Sequence, residues 1–537
     1  MDYSIKPWLV NYDSGVPAEI QIPYITLNEL LRQSVEKNGE RTCIIAKGES
    51  LTYNELDDLS DRVAQYLISI GIKSGDRVGI MQPNTPQFVI GYYGILKAGG
   101  VVMAINPAFR PEEVQKLLIE GGVKALILPA SLVEAVRTFQ TQTLVRSLVV
   151  IGEELSSLPS EDVYWDEMLG LFSGEDPVNQ DVKPDDPAVY QYTGGTTGTP
   201  KCAIGRHYNL VANVTQFQHW LVNAKSSKET ILVAIPMYHV YGMVLGMNLA
   251  LKMGARMVLI SDPRDLDDLL AAIEIYQVTV FPGVPTIYAA ISQYPAVLSG
   301  KFDLSSIKAC ISGSATLPER VKKDFESLTK GHLVEGYGLS EAPTATHCNP
   351  VLGTNKPGSI GLPLPNVDCK VVDLATGQNE VPVGEIGELI VRGPQVMAGY
   401  YQNPNETAMA LRDGWLFTGD VVYMDEDGYF TLIDRKKDVI KVGGFQVWPN
   451  EVEQVIMRYP KVKEVAIGGY MDENRGEVAK AWVVLRENQS CSAEEIKSFC
   501  KQYLVNYKIP RVVSFREALP RTRVGKVLRR VLISEDE

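Results

Sequence analysis

Leu56, Leu59, Val63 and Leu67 stand three or four residues apart with polar residues between them, the spacing of one buried helix face. Thr52-Tyr53-Asn54-Glu55, just ahead, has the form of a capping box, in which a threonine hydroxyl and a glutamate carboxylate each take a free N–H of the first turn. Thr26-x-x-Glu29 repeats that signal. Short apolar runs follow at Arg77–Met81, Val101–Ile105 and Ala125–Leu128, separated by helix-like stretches. This alternation predicts parallel sheet covered by helices. It continues through Val278–Pro282, Ala309–Gly313 and Leu333–Gly338. From Gly358 to Phe430 the pattern changes to short strands, such as Val367–Val372 and Glu388–Val391, broken by glycine and proline turns. An antiparallel, barrel-like subdomain is expected there.

The last hundred residues read as a small α+β unit. Asn450-x-x-Glu453 is expected to cap a helix with Val452, Val455 and Ile456 on one face, and Ser492-x-x-Glu495 another. Strands are expected at Val465–Tyr470, Ala479–Leu485 and Val512–Phe515. The charged run 434–438 (Asp-Arg-Lys-Lys-Asp) marks a boundary. The predicted architecture is therefore α/β. Residues 1–433 form a large N-terminal domain of two α/β subdomains plus a β-barrel-like subdomain. Residues 434–438 connect it to a small α+β C-terminal domain, 439–537.

A length of 537 residues supports more than one core. The net charge of −13 argues against a generic nucleic-acid binder. The seven cysteines are scattered without metal-ligand spacing and read as reduced thiols of a cytoplasmic protein. The start has no apolar signal core, and the apolar stretch Met243–Ile260 is broken by Lys252 and Arg256, so it does not read as a membrane span.

The strongest chemical signal is Tyr192-Thr193-Gly194-Gly195-Thr196-Thr197-Gly198-Thr199-Pro200-Lys201. It follows the apolar run 188–190 and precedes the helical pattern Leu210–Val222, which predicts strand, glycine-rich loop, helix. Glycines let backbone N–H groups approach a polyphosphate, threonine hydroxyls add donors, and the lysine adds charge. Proline before Lys201 separates it from the GxxxxGK[ST] pattern. Further on, Glu335-Gly336-Tyr337-Gly338-Leu339-Ser340-Glu341 joins a permissive turn to an aromatic and a carboxylate able to hold Mg²⁺ near phosphates. Gly414–Asp420 places an acid after an apolar strand, where it could accept ribose hydroxyls. Pro520–Lys526 presents a lysine on a flexible loop. Taken singly, Glu341 reads equally as a helix-start carboxylate, Asp420 as a turn residue and Lys526 as solvated charge.

In this order the motifs resemble the adenylate-forming superfamily of acyl-CoA synthetases, carrier-linked adenylation domains and beetle luciferase. They are YTGGTTGTPK (192–201), PMYHVYG (236–242), GSATLP (313–318), EGYGLSE (335–341), GWLFTGD (414–420), DRKKDVIKVGGFQVWPNEVE (434–453) and PRTRVGK (520–526). VFPGVPTIY (280–288) and the double glycine of the phosphate loop are most similar to bacterial long-chain fatty acyl-CoA ligases. The resemblance implies an ATP-dependent, AMP-forming ligase that makes acyl-AMP and then acyl-CoA, using Mg²⁺ and CoA. It assigns Thr193, Gly194, Gly195, Thr196, Thr197, Gly198 and Lys201 to pyrophosphate, and Glu341 with Thr196 to Mg²⁺. It assigns Tyr337 and the backbone of Gly313, Ser314 and Ala315 to adenine, and counts Gly336, Gly338 and Ser340 among the nucleotide-binding residues, with Gly336 also at the acyl tunnel. Asp420 and Arg435 take the ribose. Lys526 meets the reacting carboxylate and α-phosphate, and His239 stands at the acyl-pocket mouth. Lys437 is the hinge about which a mobile C-terminal domain swings, and Lys441 with 442–446 belongs to the thioester-forming face. The partners it implies are the carboxylic acid, ATP and CoA, with transient bilayer contact and a homodimer by analogy. An aryl-acid CoA ligase stays open, since GGFQVWP (443–449) is similar to that group, as does an acyl-AMP ligase loading a carrier protein.

Overall fold

The computed structural model describes residues 3–152, 158–173, 178, 180–193, 201–442, 445–472, 476–522 and 527–535. Two sheets organise the larger part. The first orders its strands Val163–Tyr164, Ser147–Ile151, Val123–Pro129, Arg77–Ile80, Val101–Ala104, Pro187–Tyr192 and Cys202–Arg206, all parallel except the last pair. The second has nine strands. Its parallel centre runs His332–Leu339, Ala309–Ser312, Val280–Gly283, Thr230–Val233, Arg256–Leu259 and Thr42–Ala46. The hairpin Thr42–Ala46/Glu49–Thr52 thus pairs with a strand some two hundred residues later.

Alternation along each strand sorts side chains to opposite faces. Ala125 and Ile127 face a central core shared with Ile231, Val233 and Ile311 of the other sheet, whereas Leu126 and Leu128 face an outer core with Val114, Leu117 and Val133. Leu232, Phe281 and Cys310 face the opposite outer core, beneath Leu269, Ile273, Tyr288 and Phe325. Helices Leu27–Asn38, Tyr53–Ser69, Pro86–Lys97 and His207–Trp220 fill the space between the sheets. The order is helix, sheet, helix, sheet, helix. Strands covered on both faces are uniformly apolar, as the short runs predict.

Of the four caps predicted at this spacing, three form, at Thr26/Glu29, Thr52/Glu55 and Ser492/Glu495. Two local expectations are corrected. The chain after the glycine-rich loop does not enter a helix directly; Cys202–Arg206 first returns as a strand antiparallel to Pro187–Tyr192, and the helix starts at His207. Asn450 does not cap its helix, which begins at Pro449 after Trp448. Proline is preorganised for the first helical position. Asn450 then donates its amide to Asp434 Oδ2 at 2.7 Å and its Nδ2 to the Ile433 carbonyl at 3.1 Å.

A third, antiparallel sheet contains Asp368–Val372, Gly387–Arg392, Trp415–Met424, Leu411–Arg412 and Phe430–Arg435. The N-terminal arm straps across it. Tyr3 donates to the Val381 carbonyl, Lys6 pairs with Asp368 and Asn11 donates to the Asp427 carbonyl. Trp8, 1% exposed, packs edge-on to Phe430. Gly428 has a φ of +81°, and a Cβ there would lie 2.6 Å from the Trp8 nitrogen, so glycine is required. Past the 3₁₀ turn Lys436–Asp438, strands Val462–Asp472, Gly476–Leu485 and Val512–Phe515 form a separate sheet with its own apolar core, including Ile440, Val452, Ile467 and Ile496. No helix among the described residues is long and apolar enough to cross a membrane. Met243–Ile260 divides into a π-helical turn, a short helix and a strand.

Candidate active site

The hairpin Pro187–Tyr192/Cys202–Arg206 fixes both ends of the glycine-rich loop. Thr193 donates its amide to the Lys201 carbonyl at 2.7 Å, and the Lys201 amide reaches Thr193 Oγ1 at 3.4 Å. Gly194, Gly195, Thr196, Thr197 and Gly198 lie outside the described residues. The neighbouring Cys202 is 5% exposed, and burial pushes its thiol up to about 12, so it is an inert packing group.

The turn Gly313-Ser314-Ala315 leaves the carboxyl end of strand Ala309–Ser312, beside the end of His332–Leu339. Ligand sites of α/β sheets gather at such strand ends. Tyr241 of the PMYHVYG segment donates to the Ile311 carbonyl at 2.6 Å and the Gly283 carbonyl at 3.2 Å. Its ring would lie 3.0 Å from a Cβ at Gly313, so glycine lets strand end and ring meet. Ser314 adopts φ +69° and is exposed, as is Ala315. Gly336 and Gly338 flank Tyr337, and Ser340 follows on the turn into Ala342–Cys348.

Tyr337, Asp420 and Arg435 converge. The Tyr337 hydroxyl donates to Asp420 Oδ2 at 2.5 Å, and Arg435 Nε stands 2.6 Å from Asp420 Oδ1. Burial, then the Asp420 charge, pushes the Tyr337 hydroxyl well up, which keeps it a donor. Arg435 is pushed up chiefly by Asp420. Asp420 Oδ1 lies inside ion-pair distance of Arg435 yet accepts no aligned hydrogen bond, and it is fully buried. A buried carboxylate oxygen with a lone pair left beside the Arg435 ion pair fits a ligand hydroxyl, as a ribose would supply. The Asp420 backbone is anchored by Thr418, whose Oγ1 accepts from the Asp420 amide and donates to the Leu389 carbonyl.

Glu341 stands beyond the Tyr337 turn. Its Oε1 accepts the Tyr400 hydroxyl at 2.8 Å, and its carbonyl accepts from the Met397 amide. Lys201 Nζ lies 5.0 Å from the Tyr400 ring centroid and pairs with Glu406. The last residue of the glycine-rich loop and the carboxylate expected to hold Mg²⁺ therefore meet on one tyrosine. Tyr400 and Glu406 were not expected from the sequence; the Asn403-Pro404-x-Glu406 turn and cap, which does form, is the available signal.

Glu335 is buried, its Oε2 accepting the Leu317 amide at 3.1 Å; burial pushes its carboxyl up to about 8. His239 is half-buried, with Nδ1 accepting from the Tyr241 amide at 3.3 Å, at the entry to the π-helical turn Gly242–Asn248. Such turns recur at functional sites. Asn84 lies beneath it, its Nδ2 donating to the carbonyls of Val233, Ile235 and Ile260 and its Oδ1 accepting from the Met237 amide.

At the other edge, Lys437 is exposed on the turn Lys436–Asp438. Lys436 pairs with buried Glu388 at 2.7 Å. Asp434 accepts from the Asn450 amide and stands 3.8 Å from Arg529; burial raises it to about 6 against that cation. Lys441 is exposed, its amide donating to Glu477 Oε2 at 2.8 Å within the small unit. Phe445 stacks on Tyr507 at 4.5 Å, while Gly443 and Gly444 lie outside the described residues. Lys526 lies outside them too.

Residues 31–401 match the family model described as AMP-binding enzyme, and residues 451–526 match that of the AMP-binding enzyme C-terminal domain. A long-chain-fatty-acid–CoA ligase of Bacillus subtilis (strain 168) is 40% identical, covering 99% of this chain and 98% of its own. One from Escherichia coli O6:H1 is 36% identical with the same coverages. Among solved structures, ATP-bound MatB from Rhodopseudomonas palustris superposes with a TM-score of 0.85 at 28% identity, over 95% of this chain and 99% of that one.

Proposed function

The chain belongs to the AMP-binding enzyme family, and from that premise we propose that it activates a long-chain fatty acid to its CoA thioester through an acyl-AMP intermediate. The observation that carries this reading is full-length similarity to long-chain-fatty-acid–CoA ligases, at 40% identity to the Bacillus protein. The carboxylate of the acid attacks the α-phosphorus of ATP and pyrophosphate leaves. The thiol of CoA then attacks the acyl carbon and AMP leaves.

Carboxylate and triphosphate repel, so the first step depends on positioning and charge neutralisation. Lys201 and the loop 193–198 take the leaving pyrophosphate. Tyr337 and Gly313–Ala315 take adenine, while Asp420, with its remaining lone pair, and Arg435 take the ribose. Mg²⁺ at Glu341 and Thr196 supplies positive charge to the phosphate oxygens when bound. Lys526 supplies a mobile point charge where attack occurs. His239 borders the acyl entrance. For the second step, residues 434–438 are the hinge, with Lys437 as pivot, and the C-terminal domain 439–537 brings Lys441 and 442–446 to the same centre.

The test is CoA-dependent AMP release with Mg-ATP across straight-chain acids from acetate to oleate, plus coumarate and benzoate. Release that needs CoA and peaks with long chains supports the reading. A preference for coumarate or benzoate replaces the substrate class. CoA-independent formation of acyl-AMP with no thioester moves the acceptor to a carrier protein. Lys526→Ala separates the roles further: it should abolish adenylation and spare thioester formation from pre-made acyl-AMP. Equal loss in both steps refutes the two-face scheme.

A further inference from the structure

Tyr400 touches both charged groups that the reading above gives to the triphosphate and its metal. Its hydroxyl is a 2.8 Å donor to Glu341 Oε1. Its ring lies 5.0 Å from Lys201 Nζ, a cation–π distance. The side chain is 8% exposed and its backbone is pinned on two sides. The Tyr400 amide donates to Thr407 Oγ1 at 2.9 Å, and Tyr400 forms an isolated antiparallel bridge with Ala203 of Cys202–Arg206. On either side of it, Ile204 donates to the Gly399 carbonyl and Tyr401 to the Cys202 carbonyl. Glu406, on the helix capped by Asn403, pairs with the Lys201 ammonium.

This arrangement solves an electrostatic problem. Lys201 and Glu341 carry opposite charges and converge on one place. Paired with each other they would cancel, and neither would serve a ligand. The Tyr400 ring takes the Lys201 ammonium on its face, and its hydroxyl occupies one Glu341 oxygen.

We propose that Tyr400 is a positioning residue for Mg²⁺-ATP, holding the Glu341 carboxylate for the metal and keeping the Lys201 ammonium apart from it. The proposal rests on the assignment of Mg²⁺ to Glu341 made above. Tyr400 itself need not touch substrate. Its hydroxyl serves the metal ligand and its ring serves the phosphate-loop lysine, so the two functions separate by mutation.

The test is ATP binding by calorimetry, without an acid substrate, in Mg²⁺ and in EDTA. Tyr400→Phe keeps ring and backbone pairing and removes only the hydroxyl. It should weaken ATP binding about fivefold in Mg²⁺ and leave binding in EDTA unchanged. Tyr400→Leu should weaken both, because Lys201 then collapses onto Glu341. A melting temperature for Tyr400→Phe within a degree of wild type shows that the fold is intact. A Tyr400→Phe protein whose gain in affinity from Mg²⁺ equals that of wild type overturns the proposal while leaving the Glu341 assignment standing. Equal loss with and without Mg²⁺ also overturns it. A wild type whose ATP binding ignores Mg²⁺ overturns the Glu341 assignment and the proposal together.

Discussion

Replacing Glu335 by glutamine should make the protein more stable at alkaline pH, and the size of the effect follows from its surroundings. Glu335 is 6% exposed and has one backbone donor, the Leu317 amide. Burial disfavours the ionised form, so the carboxyl titrates at about 8 rather than at the ordinary 4.5. The folded chain therefore holds this proton over a range in which the unfolded chain has lost it. Stability from the neutral carboxyl is complete below the unfolded value and is lost as pH rises through the folded one. Between pH 6 and pH 9 the loss is about 3 kcal/mol, from 1.36 kcal/mol per unit over roughly two units. Glutamine is isosteric with the protonated acid, accepts the same amide and cannot ionise. The two melting temperatures should begin to part above about pH 4.5, the ordinary value that the unfolded chain keeps. Between pH 6 and pH 9 the gap should widen by about 3 °C, taking an unfolding entropy near 0.9 kcal/mol/K for roughly 430 cooperative residues. Thermal melts at half-unit pH intervals measure this. Other groups titrate in the same range, so the difference between the two curves is the readout. Parallel pH profiles would refute the neutral buried carboxyl.

Trp8→Ala should cost about 3–5 kcal/mol, the usual loss for a fully buried tryptophan. It should also weaken ATP binding, because Trp8 backs Phe430, Phe430 backs His347 at 4.8 Å and His347 backs Tyr337 at 5.8 Å; melting and calorimetry together decide whether both follow. Gly94→Ala should destabilise by about 1–3 kcal/mol, read as a lowered melting temperature, since a Cβ there would lie 2.5 Å from Val63 Cβ where helices Tyr53–Ser69 and Pro86–Lys97 cross.

What the sequence disclosed depended on how local the determining interaction was. The capping boxes at Thr26, Thr52 and Ser492 need only residues three apart, and all of them form. Strands such as Val101–Ala104 and Ala309–Ser312 announce themselves because burial on both faces leaves an unbroken apolar run. Cys202–Arg206 gave no such signal: it is a short, mixed segment made a strand by its pairing across the hairpin. The N-terminal arm has no period at all, and its partners lie more than 330 residues away, as with Asp13 accepting from the Val351 and Leu352 amides. In the site, Tyr337, Asp420 and Arg435 were expected at one place and do converge. Tyr400 was not, because the side chains it touches, Glu341 and Lys201, lie far from it in the chain.

The strand Phe430–Arg435 ties nucleotide site and C-terminal unit together through adjacent residues. Neighbouring side chains on a strand point to opposite faces. Arg435 turns to Asp420, where a ribose would bind, and Asp434 turns to the Asn450 amide and to Arg529. Arg529 also pairs with Glu453 at 2.8 Å and stands 3.6 Å from Asp438, so one guanidinium spans the strand, the following turn and the first helix beyond it. Asp434 is buried and titrates at about 6, higher than an ordinary aspartate even beside that cation, because desolvation outweighs the charge. A backbone rotation between 434 and 438 would disturb the Arg529 cluster and return Asp434 toward water, where its ionised form is better solvated. Among the described residues, these contacts between the C-terminal unit and Phe430–Arg435 are polar and partly offset by their own desolvation, which is the energetic form that the hinge motion proposed above would need.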